Sequence, residues 1–365
     1  MRYTREDGCR AWLTTGHLPL KLLRALMKEW GTAEHIYDSF CAGDEALMER
    51  LKERRVILKE RAERSAMHSL LRAMQDADMG ILYLEDYAYP ELLRTLDDAP
   101  VLLYYRGSLE CLQGRCLTIV GTRKASLLGR ETAQEIAAEL ARNGVCVVSG
   151  MAYGIDSAAH RGCVEAGGCS CAVLACGLDV DYPRENAELK RQLLRGGGVM
   201  LSEYPPGVRA DASHFEMRNR ILSGLSRGTL MVECRERSGS MITVRHALEQ
   251  GRDVFVWPGI PGSVNAEGAH ILLRDGGRIV NCARDILEDL SWLSNPAPTR
   301  EQLASLPAMT PEQKQLYLIL QRGSCSMDEL AMETGMETPK LVTALSMLQL
   351  AGLVRAEPGK RYSVI

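Results

Sequence analysis

At six places in this 365-residue chain an apolar run gives way to glycine, serine, arginine or lysine ahead of a helical pattern. "LTIV" leads into Gly121, Thr122, Arg123 and Lys124. "VCVV" leads into Ser149 and Gly150, then Gly154 and Asp156. "CAVLACG" leads into "LDVDYPREN", which holds Arg184. "SEYPPG" precedes "HFEMRNRILSGLS", with Phe215, Arg218, Asn219 and Arg220. "ECRERSGSMIT" carries Arg235, Arg237, Ser238, Gly239 and Ser240, and the sixth run ends in "WPGIPGSVNAEGAH". Glycine and serine amides at helix starts suit anionic oxygens. Yet the dinucleotide fingerprint G-x-G-x-x-G and the Walker Gly-Lys-Ser/Thr ending are both missing after Val120. A single phosphate needs about one or two cations, whereas Arg123, Lys124, Arg184, Arg218, Arg220, Arg235 and Arg237 recur along one series of strand ends. That recurrence points to several phosphates in a row, as in a polynucleotide backbone.

Each residue also has a plainer role open to it. Any one surface arginine can be solvated decoration, and Arg218 or Arg220 could equally pair with Glu203 or Glu233. Asp156 reads as a helix cap that fixes its loop, and His160 as a structural hydrogen-bonder. The joint reading stands on recurrence at strand ends, where a doubly wound sheet places its binding crevice.

The elements that must position these residues follow from hydrophobic pattern. "CLTIVG", "GVCVVSG", "CAVLACG", "GVMLSEY", "GTLMVEC" and "DVFVWPG" are nearly continuous apolar runs, which suits parallel strands covered on both faces. Helical patterns such as "GRETAQEIAAELARNG" lie between them, giving a βαβ rhythm. Residues 1–78 read as helical, with Gly31 as a stop and a second helical run from about Asp44 to Ala77. Two short strand-like pieces follow around Tyr89-Pro90. The core is expected over 79–290, a proline-rich linker over 291–310 and a last domain over 311–365. That last domain reads helix, turn at Gly323, helix from Ser326, helix from Thr338, then "LVRAE" and "RYSVI" around "PGK", a winged-helix pattern. Its third helix carries Lys340 alone near its start, so protein contact is as open to it as DNA contact.

Composition bounds the class. An apolar fraction of 46% with 25% charged residues is ordinary for a globular protein. No stretch approaches the roughly 20 apolar residues of a membrane span, and the N-terminus lacks a signal-peptide core, so the cytoplasm and no membrane association are expected. The twelve cysteines form no C-x-x-C pair and read as reduced thiols, with no metal or cofactor expected. Net charge is −3, but residues 115–280 hold 20 Lys/Arg against 18 Asp/Glu while the rest holds 24 against 29. A nucleic-acid site must therefore be a local patch on the middle segment.

The strings "VGTRKAS", "VVSGMAYGIDSAAHRG", "ACGLDVDYPREN", "SEYPPG", "FEMRNRILSGLS", "VECRERSGSMITVRHALEQGRDVFVWPG" and "NAEGAH" resemble the DNA-processing protein A (DprA/Smf) family, in unbroken order over about residues 80–282. The resemblance implies an α/β, Rossmann-like, doubly wound and mostly parallel sheet. It also implies an N-terminal helical SAM-like domain and a C-terminal winged helix. It implies a non-enzymatic protein that binds single-stranded DNA, helps load a RecA-type recombinase in natural transformation, and forms a homodimer. The family's Gly-Ser-Arg phosphate motif falls on Gly121, Thr122 and Arg123, its basic position after Tyr-Pro on Arg184, and its Arg-Asn-Arg motif on Arg218, Asn219 and Arg220. Phe215 is placed to stack on a base. "TGHLPL" stands where a helix-hairpin-helix would have Gly-Ile-Gly, which removes the expectation of DNA binding by that module. The alternative is a nucleotide hydrolase resembling the lysine-decarboxylase-like phosphoribohydrolases. Their Pro-Gly-Gly-x-Gly-Thr-x-x-Glu loop corresponds here to "RSGSMITVRHALE", with Arg245 in place of an early acid.

Overall fold

A computed structural model describes residues 3–293 and 309–364, apart from 17, 61, 63, 321–324, 337, 351–352 and 358–360. The chain forms two compact units, Met1–Ala297 and Pro298–Ile365. The first is built on nine strands: β1 (Gly80–Tyr83), β2 (Leu102–Gly107), β3 (Arg115–Val120), β4 (Val145–Ser149), β5 (Ser170–Val173), β6 (Val199–Ser202), β7 (Gly228–Met231), β8 (Asp253–Val256) and β9 (Arg278–Ile279). Their order across the sheet is β1-β2-β6-β5-β4-β3-β7-β8-β9. β3 to β9 are parallel, while β1 and β2 add an antiparallel edge beyond β6. The six apolar runs all become parallel strands, as their two-sided apolarity requires.

Alternation along each strand feeds two cores. Leu117, Ile119, Val145 and Val147 face the helices Leu127–Arg142 and Ile155–Glu165, joined by Leu230 and Phe255. Cys116, Val120, Cys146 and Val148 face the other way, toward Ile221 and Leu222 of helix Ala212–Gly224 and Val244 of helix Gly239–Glu249. With neither face wet, the loops at the carboxyl ends of the strands are the part of this sheet left to meet a ligand. The chain departs from β3 toward β4 and from β7 toward β8 on opposite sides, so the switch point lies between β3 and β7.

The N-terminal region is helical: Arg5–Thr15, Leu20–Trp30, Ala33–Ala42, Glu45–Leu51, Arg54–Glu60 and Arg64–Asp76. The single run expected from Asp44 to Ala77 is three helices. Asp44 caps the first by accepting from the Leu47 amide, and Lys52, at φ +50°, breaks the chain after it. Trp12 anchors this region edge-on against Tyr37 and Phe40, with its indole donating to the Leu58 carbonyl at 3.0 Å. Ala11, Met74 and Met79 pack on Leu102, Tyr104, Ala172 and Met200, so the helices are joined to the sheet by a shared core.

The second unit has helices Pro311–Leu320, Met327–Thr334 and Thr338–Leu350. Strands β10 (Cys325–Ser326), β11 (Val354–Glu357) and β12 (Arg361–Val364) form a sheet of order β10-β12-β11. Ser326 and Glu329 exchange hydrogen bonds in a capping box at the start of the second helix. Leu316, Leu330, Leu341, Leu345 and Val354 form the core of this winged helix. The turn at Gly323, the "PGK" turn and most of the proline-rich linker lie outside the described residues. Among those residues no helix is long and apolar enough to cross a membrane, and no cluster of His, Cys, Asp or Glu could hold a metal ion.

The helices behind β3 and β4 touch at Gly162, where a Cβ would stand 2.1 Å from the Gln134 carbonyl oxygen. Gly162→Ala must push these helices apart and should lower stability by about 1–3 kcal/mol. Urea unfolding checks this; an unchanged midpoint would show that the pair has slack.

Candidate nucleic-acid interface

The loop after β3 is pinned on three sides. The Thr122 amide donates to the Glu233 carbonyl at 2.6 Å, the Ser240 hydroxyl donates to the Gly121 carbonyl at 2.7 Å, and the Ile155 amide donates to the Thr122 carbonyl at 3.3 Å. Gly154 makes the last approach possible. Its φ is +77°, and a Cβ would lie 2.3 Å from the Thr122 oxygen. Sequence thus specifies, through one glycine, that the loop after β4 slides beneath the loop after β3.

Two of the expected anion sites are already filled from within. Ser126 caps helix Leu127–Arg142, and the buried Glu233 carboxylate accepts from the Ser126 amide at 2.9 Å and its hydroxyl at 2.6 Å. In the loop after β4 the buried Asp156 carboxylate accepts from the amides of Gly150 at 3.2 Å and Ala152 at 3.3 Å. Asp156 sits in the first turn of its helix and reaches back, with Gly154 as the cap residue, so it ties the loop without capping the helix. Burial pushes the Asp156 carboxyl above the usual carboxylate range, opposed by the nearby Arg218 guanidinium. Ser149 is buried as well and donates to the Ile119 carbonyl at 2.6 Å. Helices Ile155–Glu165 and Gly239–Glu249 both lack a side-chain cap; Gly154 stands at the cap position of the first, and Ser238 at that of the second with Gly239 exposed beside it.

The Arg-Asn-Arg sequence also turns inward. Arg218 is 4% exposed. It donates to the carbonyls of Gly150, at 3.0 Å, and Val173, and to Asn219 Oδ1 at 3.2 Å. Burial lowers its pKa to about 10, with Asp156 opposing and Arg123 adding to the fall; it remains a cation at neutral pH. Asn219 donates to the Gly239 carbonyl at 3.2 Å. Arg220, also 4% exposed, pairs with Glu203 at 2.7 Å and Asp98 at 3.4 Å, the internal partnership that its sequence left open.

What faces outward is a smaller set. Arg123, Lys124, Arg184, Arg235 and Arg237 are exposed, and Thr122 is half-buried. Among the described residues no carboxylate stands within ion-pair distance of these five cations. The Arg123 guanidinium lies 4.6 Å above the half-buried Phe215 ring, Arg218 lies 5.8 Å from the same ring, and Tyr182 meets it edge-on at 5.8 Å. Two guanidinium groups therefore converge on one aromatic ring with the buried Asp156 as their nearby acid, leaving positive charge for an anion. Sequence reasoning placed Phe215 and Arg123 separately. It missed Tyr153 and Tyr182, whose signal was a tyrosine beside glycine or proline in a strand-end loop, in the case of Tyr182 a loop that also carries Arg184.

Known proteins share this fold. Residues 80–291 match the family model for DNA recombination-mediator protein A, and residues 296–360 match that for the DprA winged helix domain. The chain is similar to Protein Smf of Escherichia coli strain K12, 37% identical over 308 residues, covering 81% of this chain and 80% of that one. Among solved structures it is similar to DNA processing protein A of Streptococcus pneumoniae. That match has a TM-score of 0.67 and 30% identity, over 79% of this chain and 99% of the other. It is also similar to DNA processing protein A of Helicobacter pylori, with a TM-score of 0.54 and 27% identity, over 60% and 97% of the two chains. The Helicobacter structure is described for its single-stranded DNA binding mode.

Behind the interface, His160 is fully buried with Nδ1 2.7 Å from the Ser170 hydroxyl. Burial lowers its pKa to about 3. Between pH 6.5 and about 3 the unfolded chain binds a proton at this position that the folded chain refuses, so stability falls as pH falls through that window. Between pH 7 and pH 5 the loss should be about 2 kcal/mol. His160→Asn keeps a polar atom near Nδ1 without a titrating group. Unfolding at the two pH values should show a smaller loss in that variant; equal losses would assign the pH dependence to other groups.

Proposed function

The chain belongs to the DNA recombination-mediator protein A family, and on that premise we propose that it binds single-stranded DNA across the carboxyl edge of its sheet. The observation that carries this reading is Arg123, exposed at the end of β3 and stacked over Phe215. One side chain offers a phosphate contact while its neighbour offers a face for an unpaired base, the pairing that sequence-tolerant single-strand binding uses. Lys124, Arg184 and Arg237 extend the phosphate track, with Thr122, Ser238, Gly239 and Ser240 lining it. Gly121, Gly154, Ser149, Gly150, Arg218, Asn219 and Arg220 hold the loops in place.

The wider role is that of a mediator that hands single strands to a RecA-type recombinase during DNA uptake and recombination, acting as a homodimer in the cytoplasm. This part rests on the family resemblance. Catalysis is not part of the reading. The position of the hydrolase-like loop's acid carries Arg245, and the next acid along the same helix is Glu249 at its end, roughly 15 Å from the strand ends at 1.5 Å per residue. Asp156 and Glu233 are held by internal donors.

Single-stranded DNA should bind much more tightly than duplex of equal length, because paired bases cannot reach Phe215. A gel-shift series with both forms tests this, and equal affinities would remove the stacking argument. Arg123→Ala should weaken binding to all sequences alike and lower the log–log salt slope by about 0.7. Arg123→Lys should recover part of the loss, since ammonium keeps charge without the planar fork. Titration at several salt concentrations decides; an unchanged slope in the folded variant would make Arg123 a purely structural partner of Phe215.

A further inference from the structure

We propose that Tyr153 and Tyr182 continue the Phe215 surface into a row of stacking positions for successive unpaired bases, an inference that rests on the single-strand reading above. The three rings come from consecutive loops. Tyr153 follows β4, Tyr182 follows β5 and Phe215 lies on the helix after β6. Because β4, β5 and β6 are neighbours in the sheet, their carboxyl-end loops lie side by side, and the row runs across the strands.

The rings are held where a base could reach them. Tyr182 and Phe215 centroids are 5.8 Å apart at 60°. The Tyr153 hydroxyl donates to the Glu185 carboxylate, three residues beyond Tyr182 in the same loop, which ties the Tyr153 ring to that loop. This bond raises the Tyr153 pKa and holds the Glu185 carboxyl below its usual range, so the pair remains phenol and carboxylate at neutral pH and the acid is occupied. Tyr153 is 39% and Tyr182 38% exposed, a large apolar face left to water by two rings whose loops are otherwise well anchored. Asn186, next to Glu185, donates to the Met151 carbonyl at 2.8 Å and joins the same two loops a second time.

Cations stand along the row: Arg123 over Phe215 at one end, and exposed Arg184, two residues beyond Tyr182, in the loop of the middle ring. Interleaved aromatic faces and arginines fit a strand whose bases are splayed toward the protein and whose phosphates pass along the rim. Duplex DNA, with its bases stacked on one another, could use the cations alone.

The test measures binding of the full chain, by fluorescence anisotropy, to a thymidine oligomer and to an abasic oligomer of equal length. Tyr182→Ala should weaken the thymidine oligomer about tenfold and leave the abasic oligomer unchanged. Tyr182→Phe should restore the wild-type preference for bases. Tyr153→Ala should behave like Tyr182→Ala. Equal losses on both oligomers, or no loss on the thymidine oligomer, would overturn the stacking row while leaving single-strand binding in place. Failure of the unaltered chain to bind either oligomer would overturn the single-strand reading itself, and the row with it.

Discussion

The carboxyl edge of this sheet depends on one buried guanidinium. Arg218 gives its hydrogen bonds to the backbone of two different strand ends, Gly150 after β4 and Val173 at the end of β5. Burying a guanidinium is costly unless its donors and its charge are both met. Here two carbonyls and Asn219 meet the donors, and Asp156 meets the charge from the neighbouring helix. The requirement runs the other way too. A Cβ on Gly150 would stand 2.5 Å from the guanidinium, so glycine is needed there because arginine fills the space. Asp156 completes the circuit by accepting the Gly150 and Ala152 amides. Loops that would otherwise be the least stable part of the fold are thereby set in one geometry, and the outward residues inherit it.

The same internal pairing decides the sign of the surface. Glu233 is consumed by Ser126, Glu203 by Arg220 and Glu185 by Tyr153. Three acids near these strand ends are thus spent on protein donors, while Arg123, Lys124, Arg184 and Arg237 remain exposed and outnumber the exposed Asp181 and Glu236. A chain of net charge −3 can then present a positive edge, because charges farther away than about 8–10 Å are screened at physiological salt. Local bookkeeping of partners matters here more than the total.

Much of this was legible in the sequence, for a physical reason. Strands buried on both faces must be apolar throughout, so "GVCVVSG" or "GTLMVEC" could be placed without knowing any partner. The winged helix was legible because its helices and strands are each short, bounded and patterned. Arginine was not. Arg218 and Arg123 are the same residue type beside the same kind of turn, yet one is buried and the other exposed. The difference lies in two carbonyls 45 and 68 residues away in the chain, which no local pattern encodes. Helix starts misled similarly. A glycine-rich turn before a helix announces free amides, but whether a carboxylate such as Glu233 already occupies them depends on a strand more than a hundred residues later. β9 was missed because two exposed residues carry no periodicity.

The filled crevice also explains why an extended polymer suits this fold better than a nucleotide. In a doubly wound sheet a dinucleotide enters at the switch point, here between β3 and β7. That place is shut: the Thr122 amide bonds across it to the Glu233 carbonyl, Ser240 bonds to Gly121, and a Cβ on Gly121 would be 2.5 Å from Ile155. With the pyrophosphate position of helix Leu127–Arg142 taken by Glu233, a ligand cannot enter the sheet edge and must lie over it. A compact nucleotide resting there would touch only a cation or two. A strand of nucleotides crossing the loops can meet Arg123, Phe215 and Arg184 in one binding event, each contact weak and the sum substantial. Closing the crevice thus converts a fold suited to swallowing a cofactor into one suited to carrying a chain.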